Sequence, residues 1–138
     1  MNFAVLGLGK LGRVVASKLQ YCNVKGWDVV KTDCDFQTDT LYEAIHDANV
    51  ILIAVPSQHF QQLIRDIIGA YSDNRQWHTA TKVTVISFTK GFSDGRLPWE
   101  IIRRELPFNP AGVVSGPMLS EEIYTKPTRA VLASDNID

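Results

Sequence analysis

With 138 residues, the chain has room for one domain and a single hydrophobic core. An apolar share of 45%, a charged share of 21% and a formal net charge of −1 are typical of a globular protein in water. The near-neutral charge excludes an electrostatic nucleic-acid binder, and no apolar run has the length of a membrane span or a signal peptide. We therefore expect a cytoplasmic protein without membrane contact, with both cysteines reduced.

Short β-rich segments alternate with helical segments along the whole chain. In chain order, the strands are predicted at Met1–Leu6, Asp28–Thr32, Asn49–Val55, Lys82–Phe88, Ala111–Ser115 and Arg129–Ala133. The apolar spacing predicts helices from Leu8 to Leu19, from the capping box Thr40–Glu43, behind a Ser57 N-cap, at Pro98–Leu106 and near Leu119–Tyr124. A polar connection is predicted from Gly69 to Ala80. This alternation predicts an α/β fold, a single doubly wound, Rossmann-type domain with a parallel sheet.

A glycine-rich turn follows the first strand and opens the first helix. The residues Gly7, Leu8, Gly9, Lys10, Leu11 and Gly12 match the pattern G-x-G-x-x-G. The first glycine permits the tight turn, the second admits a pyrophosphate, and the third allows close packing of helix and strand. Since the N–H groups and dipole at the start of a helix attract phosphates, the turn predicts a dinucleotide site.

An acidic residue at the end of the second strand is the usual partner of such a turn. Asp33 follows Gly12 by 21 residues, close to the expected spacing of about 20, and is predicted to accept hydrogen bonds from the adenosine ribose. No arginine stands beside it to bind a 2′-phosphate, which favours NAD over NADP. Asp35 is the weaker alternative, and a solvated Asp33 without a ligand remains open.

Three later segments narrow this interpretation. They are Ala54–Gln58 (AVPSQ), Ser87–Phe92 (SFTKGF) and Ser115–Pro117 (SGP), the last followed by Glu122 and Pro127-Thr128. In this order, after the glycine turn, they resemble the N-terminal domain of NAD-dependent glycerol-3-phosphate dehydrogenase, over nearly the whole chain.

The resemblance implies roles for individual residues. Pro56, Ser57 and Gln58 would lie beside the cofactor, and Lys90 of the Thr-Lys-Gly segment would be a catalytic residue that engages the substrate. The rim of the substrate cleft would contain four further residues, Ser115, Gly116, Pro117 and Glu122. The alternatives are a solvated lysine and a first-turn glutamate that stabilises the helix dipole.

Members of this family normally continue into a helical C-terminal domain with the catalytic lysine and most substrate ligands. We expect residues 1–138 to be the dinucleotide-binding domain alone, without that catalytic domain, and therefore inactive without the missing half. The segment between the second strand and Thr40 is also shorter than in the family. Family members often have an aromatic residue in the glycine turn, where this chain has Lys10-Leu11.

The function implied is hydride transfer between NAD(H) and glycerol-3-phosphate or dihydroxyacetone phosphate. An alternative is a stand-alone, non-catalytic NAD(H)-binding or sensing module that acts with a partner protein or as a homodimer. Pyrroline-carboxylate and ketopantoate reductases are a weaker alternative. No metal site is predicted, because His46, His59 and His78 are not spaced as ligands, although His59 lies near the Ser57 turn.

Overall fold

A computed structural model describes residues 1–116 and 130–134, and Pro117, Glu122 and the helix expected near Leu119–Tyr124 lie outside them. Strands and helices alternate in it as the sequence predicts. In chain order the elements are β1 (Asn2–Leu6), α1 (Lys10–Lys18), β2 (Asn23–Trp27), α2 (Leu41–Ile45), β3 (Val50–Ile53), α3 (Ser57–Asp73), α4 (Trp77–Ala80), β4 (Thr84–Ser87), α5 (Pro98–Glu105), β5 (Ala111–Ser115) and β6 (Val131–Ser134).

In the described residues, the strands form one sheet in the order β2-β1-β3-β4-β5-β6. The strands β1 to β5 are parallel, which confirms the doubly wound, Rossmann-type fold. The strand β6 pairs antiparallel to β5, so the expectation of a wholly parallel sheet is wrong at this edge. Because the strand order reverses direction beside β1, a crevice opens there at the carboxyl ends of the strands.

Alternate residues of the central strands pack on opposite faces of the sheet. Ala4 and Leu6 of β1 belong to the larger core cluster, which contains buried residues of α2, α3 and α5. Val5 belongs to the smaller cluster, on the side of α1. The largest helix, α3, contributes to the larger cluster a row of residues at helical spacing, Phe60, Leu63, Ile64, Ile67 and Tyr71.

Local capping explains several helix boundaries. The predicted capping box is confirmed at α2, where the Thr40 hydroxyl accepts a hydrogen bond from the Glu43 backbone and the Glu43 carboxylate accepts one from the Thr40 backbone. Ser57 is the first residue of α3, whereas the sequence predicted it as the N-cap, and Pro56 precedes the helix instead. Helix α3 also continues to Asp73, so the first five residues of the predicted connection, 69–73, are helical, and its last four form α4.

Two buried polar side chains form hydrogen bonds between separate segments of the chain. Tyr71 donates a hydrogen bond from its hydroxyl to the Ile45 carbonyl at 2.8 Å, which joins α3 to α2. Burial raises the pKa of the Tyr71 phenol above its ordinary value. Asn109 donates from its amide to the carbonyls of Ala80 and Val83 at 2.6 and 2.8 Å, which fixes the segment before β5. No helix in ranges 1–116 and 130–134 is long and apolar enough to span a membrane.

The second strand lies five residues earlier than predicted. The register pairs Leu6 with Trp27, and the Gly7 N–H donates to the Trp27 carbonyl at 2.9 Å, so β2 ends at Trp27. Val29 and Val30, which suggested a strand, are 83% and 64% exposed. The observed strand has the sequence NVKGW. It lies at the edge of the sheet and pairs with one neighbouring strand, β1, so it tolerates polar residues and a glycine. Because of these residues, the sequence pattern did not indicate a strand here.

Residues 28–40 form a loop that returns along the outer edge of β2. Gly26 donates its N–H to the Phe36 carbonyl and accepts from the Thr38 N–H, both at 2.8 Å. A Cβ on Gly26 would lie 2.7 Å from the Phe36 ring, so the ring packs directly on the strand backbone. The Gln37 side chain accepts from the Thr32 N–H at 2.8 Å and donates to the Val30 carbonyl at 3.0 Å. These contacts hold the loop in one path.

Candidate functional site

A cleft of about 840 Å³ opens at the carboxyl ends of β1 to β4. It begins at the glycine turn and extends along one side of α3, and its lining is mainly apolar. The lining residues are Gly7, Gly9, Lys10, Leu11, Trp27, Asp28, Val29, Ala54, Val55, Pro56, Ser57, His59, Gln62, Leu63, Asp66, Phe88, Thr89 and Lys90. Its position is the one at which doubly wound sheets bind ligands.

The three glycines of the turn have different surroundings. Gly7 has φ +93°, and a Cβ on it would lie 2.7 Å from the Ala54 carbonyl oxygen. A Cβ on Gly12 would overlap the carbonyl oxygen of Gly7, so this position brings α1 against the turn. Among the described residues nothing lies within 4 Å of a Cβ on Gly9. Gly7 and Gly12 are therefore required by the protein itself, whereas Gly9 leaves open space in the cleft.

The residues between these glycines divide between cleft and core. Lys10 and Leu11 line the cleft at the start of α1. Leu8 is 1% exposed and packs in the core cluster on the α1 side. Its backbone N–H nevertheless donates to the Asp28 carboxylate at 2.7 Å. The turn is thus connected by a charge-assisted hydrogen bond to the end of the second strand.

Asp28 is the acidic residue that the structure places at the end of β2. Its second oxygen accepts a hydrogen bond from the Val30 N–H at 3.0 Å, so both oxygens are oriented by the backbone. The side chain lines the cleft. A carboxylate in this place has the position and the acceptor chemistry of a ribose ligand.

Asp33 lies elsewhere. Its side chain is 84% exposed and forms an ion pair with Arg13 at 2.8 Å, so the expectation that no arginine stands beside Asp33 is wrong. Asp33 is not among the cleft lining residues, and neither is Asp35. The reason is the displaced strand: because β2 ends at Trp27, Asp33 falls in the middle of the 28–40 loop.

Near the carboxyl end of β3, Pro56 and Ser57 line the cleft where α3 begins, whereas Gln58 is exposed and outside the lining. The N-terminal N–H groups of α3 therefore lie beside the cleft, together with those of α1. The dipoles of both helices contribute positive electrostatic potential at this end of the sheet.

Lys90 lines the other end of the cleft, just beyond β4. Its ammonium donates to the Gly116 carbonyl at 2.7 Å, which connects the loop after β4 to the loop after β5. Thr89 next to it donates to the Val55 carbonyl at 2.8 Å. Ser115 is the exposed last residue of β5, and neither it nor Gly116 is among the lining residues. In the part of the chain that the structure describes, no group of three or more metal-ligating side chains is present.

Sequence reasoning missed most of the cleft wall on α3. His59, Gln62 and Asp66 recur on one side of the helix, and the spacing of three and four residues indicates their shared face. The missed Asp28 also had an indication, since it follows Gly7 by 21 residues. His59, which lies near the Ser57 turn in the sequence, lines the cleft.

Comparisons with known proteins agree with this geometry. A sequence profile of the family described as "NAD-dependent glycerol-3-phosphate dehydrogenase N-terminus" matches residues 22–138. The glycerol-3-phosphate dehydrogenase [NAD(P)+] of Acinetobacter baumannii (strain SDF) is 36% identical over 99 residues, which are 70% of this chain and 25% of the relative.

Solved structures extend the similarity to the fold as a whole. A glycerol-3-phosphate dehydrogenase from Coxiella burnetii superposes with a TM-score of 0.77 at 26% identity and covers 98% of this chain and 47% of its own. A Plasmodium falciparum pyrroline carboxylate reductase superposes with a TM-score of 0.72 at 14% identity and shows the shared fold alone. The chain spans less than half the length of these relatives. By sequence profile and relatives, the chain belongs to the family of NAD-dependent glycerol-3-phosphate dehydrogenases, in the region of their N-terminal domain.

Proposed function

We propose that the chain binds NAD(H) in the cleft and forms the cofactor-binding half of a glycerol-3-phosphate dehydrogenase. The observation that supports this most directly is the joined pair of glycine turn and Asp28. The Leu8 N–H donates to the Asp28 carboxylate, and this fixes the two parts of an adenosine-diphosphate site relative to each other. The family description names NAD and the relatives are named for NAD(P)+, so family membership supports a nicotinamide dinucleotide as the cofactor.

The pyrophosphate would lie over Gly9, where the backbone leaves space and the N-terminus of α1 presents N–H groups. Asp28 would accept hydrogen bonds from the hydroxyls of the adenosine ribose, which is the role that the sequence predicted for Asp33. A 2′-phosphate at the same place would meet a carboxylate, which disfavours NADP.

The nicotinamide would lie toward Pro56, Ser57 and Lys90. When bound, the nicotinamide supplies the hydride chemistry. The Lys90 ammonium would bind a substrate phosphate or stabilise the negative charge that develops on the substrate oxygen. To do so, it would give up its hydrogen bond to the Gly116 carbonyl. Because the relatives are more than twice as long, the remaining substrate-binding groups are proposed to lie in the half that this chain does not span, so that this chain by itself is inactive.

Calorimetric titration of the chain with NADH and with NADPH tests the cofactor site. We expect saturable binding of NADH, tighter than that of NADPH. Asp28→Asn should weaken NADH binding about tenfold and reduce the preference for NADH over NADPH. A charged acceptor is lost, while the Asn side chain can still accept the hydrogen bond from the Leu8 N–H.

Asp33→Asn is the matched control, since it removes the same charge from the same loop outside the cleft. It should leave both affinities unchanged. If Asp33→Asn weakens NADH and Asp28→Asn does not, the ribose lies at Asp33 as the sequence suggested. If the unaltered chain binds neither dinucleotide, the proposed function is wrong.

A further inference from the structure

A second polar cluster lies outside the cleft, where helix α3 meets helix α5. Gln61 is at its centre and is only 9% exposed, although it is a polar residue. Arg65 follows on the same side of α3, one helical turn further on. Arg104 approaches from the last turn of α5. None of these three residues lines the cleft, so the cluster is separate from the proposed cofactor site.

Gln61 holds two guanidinium groups side by side. With its amide oriented so that both of its ends find partners, the amide oxygen accepts from Arg65 Nη2 at 2.8 Å and from Arg104 Nη2 at 3.1 Å. The Gln61 backbone N–H donates to the buried Ser93 hydroxyl at 3.3 Å, which joins this part of α3 to the loop after β4. Because the two cations share one anchored acceptor, their terminal nitrogens are near neighbours.

The charges of the two arginines are only partly compensated. Glu105 accepts from Arg104 Nε and Nη2 at 3.0 and 2.7 Å. Among the described residues, no carboxylate forms an ion pair with the exposed Arg65, and the neighbouring Asp66 lines the cleft on another side of α3. Since Gln61 is neutral, it orients both guanidinium groups without cancelling either charge. The cluster therefore carries an excess of positive charge at the surface, with N–H donors that Gln61 and Glu105 do not use.

We propose that Arg65 and Arg104 bind a phosphoryl group, as free phosphate or as a phosphate monoester, at this junction of α3 and α5. A guanidinium presents its donors in a planar fork that matches the oxygens of a phosphate. A phosphate dianion has enough oxygens to accept from two forks at once, and its charge offsets the repulsion between the two cations. Gln61 sets the spacing of the two groups. Binding here does not require an occupied cleft.

An NMR titration of the 138-residue chain with sodium phosphate tests the site by following the Nε–H resonances of the arginine side chains. Sodium chloride at the same ionic strength is the reference, because screening alone acts on all exposed charges. We expect saturable shifts of the Arg65 and Arg104 resonances, with a dissociation constant on the order of 1 mM. Methyl phosphate distinguishes the two sources of the phosphoryl group. If it binds too, the site accepts phosphate monoesters; if phosphate alone binds, the ligand is the free ion.

Arg65→Gln should weaken phosphate binding at least about tenfold, measured on the Arg104 resonance, because it removes one of the two guanidinium groups. Arg75→Gln is the matched control, since Arg75 is an exposed arginine just beyond the end of α3, and it should keep the affinity. Phosphate shifts no larger than those with chloride overturn the proposed site, and so does undiminished binding by Arg65→Gln. A shift of the Gly9 amide without shifts of the two arginines places the phosphate in the cleft and also overturns it. No nucleotide is present, so each of these failures leaves the proposed function untouched.

Discussion

At the glycine-turn end of the cleft, backbone packs on backbone, whereas at the Lys90 end single side-chain hydrogen bonds join neighbouring loops. Gly7 and Gly12 are so close to other main-chain atoms that a methyl group has no room at either position. Lys90, by contrast, is exposed and joins the loop after β5 through one bond to Gly116. The first end is rigid because many short contacts define it, and the second leaves its polar groups accessible to other partners.

This contrast agrees with the share of the relatives that the chain spans. The superposition with the Coxiella burnetii structure covers 98% of this chain but only 47% of that structure. The end formed by close backbone contacts needs nothing further to hold its shape. The polar, accessible end is the one where the proposed function puts the remaining substrate-binding groups.

The largest effect is expected for Gly12→Ala. The added methyl group would overlap the Gly7 carbonyl, so the turn or helix α1 must move, at a cost of about 3 kcal/mol in the free energy of unfolding. Chemical denaturation measures this value. Gly69→Ala is the control, because Gly69 lies within α3 and its Cβ would meet no described atom within 4 Å. That control should keep or slightly raise stability, by up to about 1 kcal/mol.

Gly9→Val should separate binding from folding. The backbone at Gly9 is extended, with φ −72° and ψ −166°, and a side chain there would point into open space within the described structure. We expect the free energy of unfolding to change by no more than about 1 kcal/mol, as for an altered N-cap, while NADH affinity falls at least about a hundredfold. Undiminished NADH binding by a folded Gly9→Val variant would place the pyrophosphate elsewhere.

The smallest effect is expected for Lys90→Met, which keeps the length of the side chain and removes its charge. One exposed hydrogen bond to Gly116 is lost, so the free energy of unfolding should change by less than about 0.5 kcal/mol. The affinity for NADH should stay the same. Denaturation and calorimetry measure both. If Lys90→Met weakens NADH as much as Gly9→Val does, the two ends of the cleft do not have separate roles.

Much of this arrangement follows from sequence because its causes are local. The apolar run of β3, the capping box at Thr40 and the apolar row of α3 depend on neighbouring residues, and the structure confirms each. The strand β5 occurs at Ala111–Ser115, as predicted. The glycine turn was recognisable because a tight strand-to-helix turn needs glycines at fixed spacing.

What was missed depends on contacts between distant residues. The glycine in β2 makes sense only with the Phe36 ring packed on it, ten residues away. With that strand misplaced, the sequence puts Asp33 at its end, whereas in the structure Asp28 follows the strand and is hydrogen-bonded to the glycine turn. The wall of the cleft on α3 requires knowledge of which helix face remains uncovered, and the antiparallel direction of β6 depends on pairing across the sheet.

The return of residues 36–38 along β2 has a consequence for the association of whole molecules. An exposed strand edge offers unpaired N–H and carbonyl groups to any other extended chain and promotes aggregation. Here the edge is occupied at Gly26, whose N–H and carbonyl are bonded to Phe36 and Thr38, and the Phe36 ring covers the strand beside them. A foreign strand cannot pair continuously along β2, so growth of the sheet into intermolecular assemblies is blocked on the side of the molecule next to the cleft.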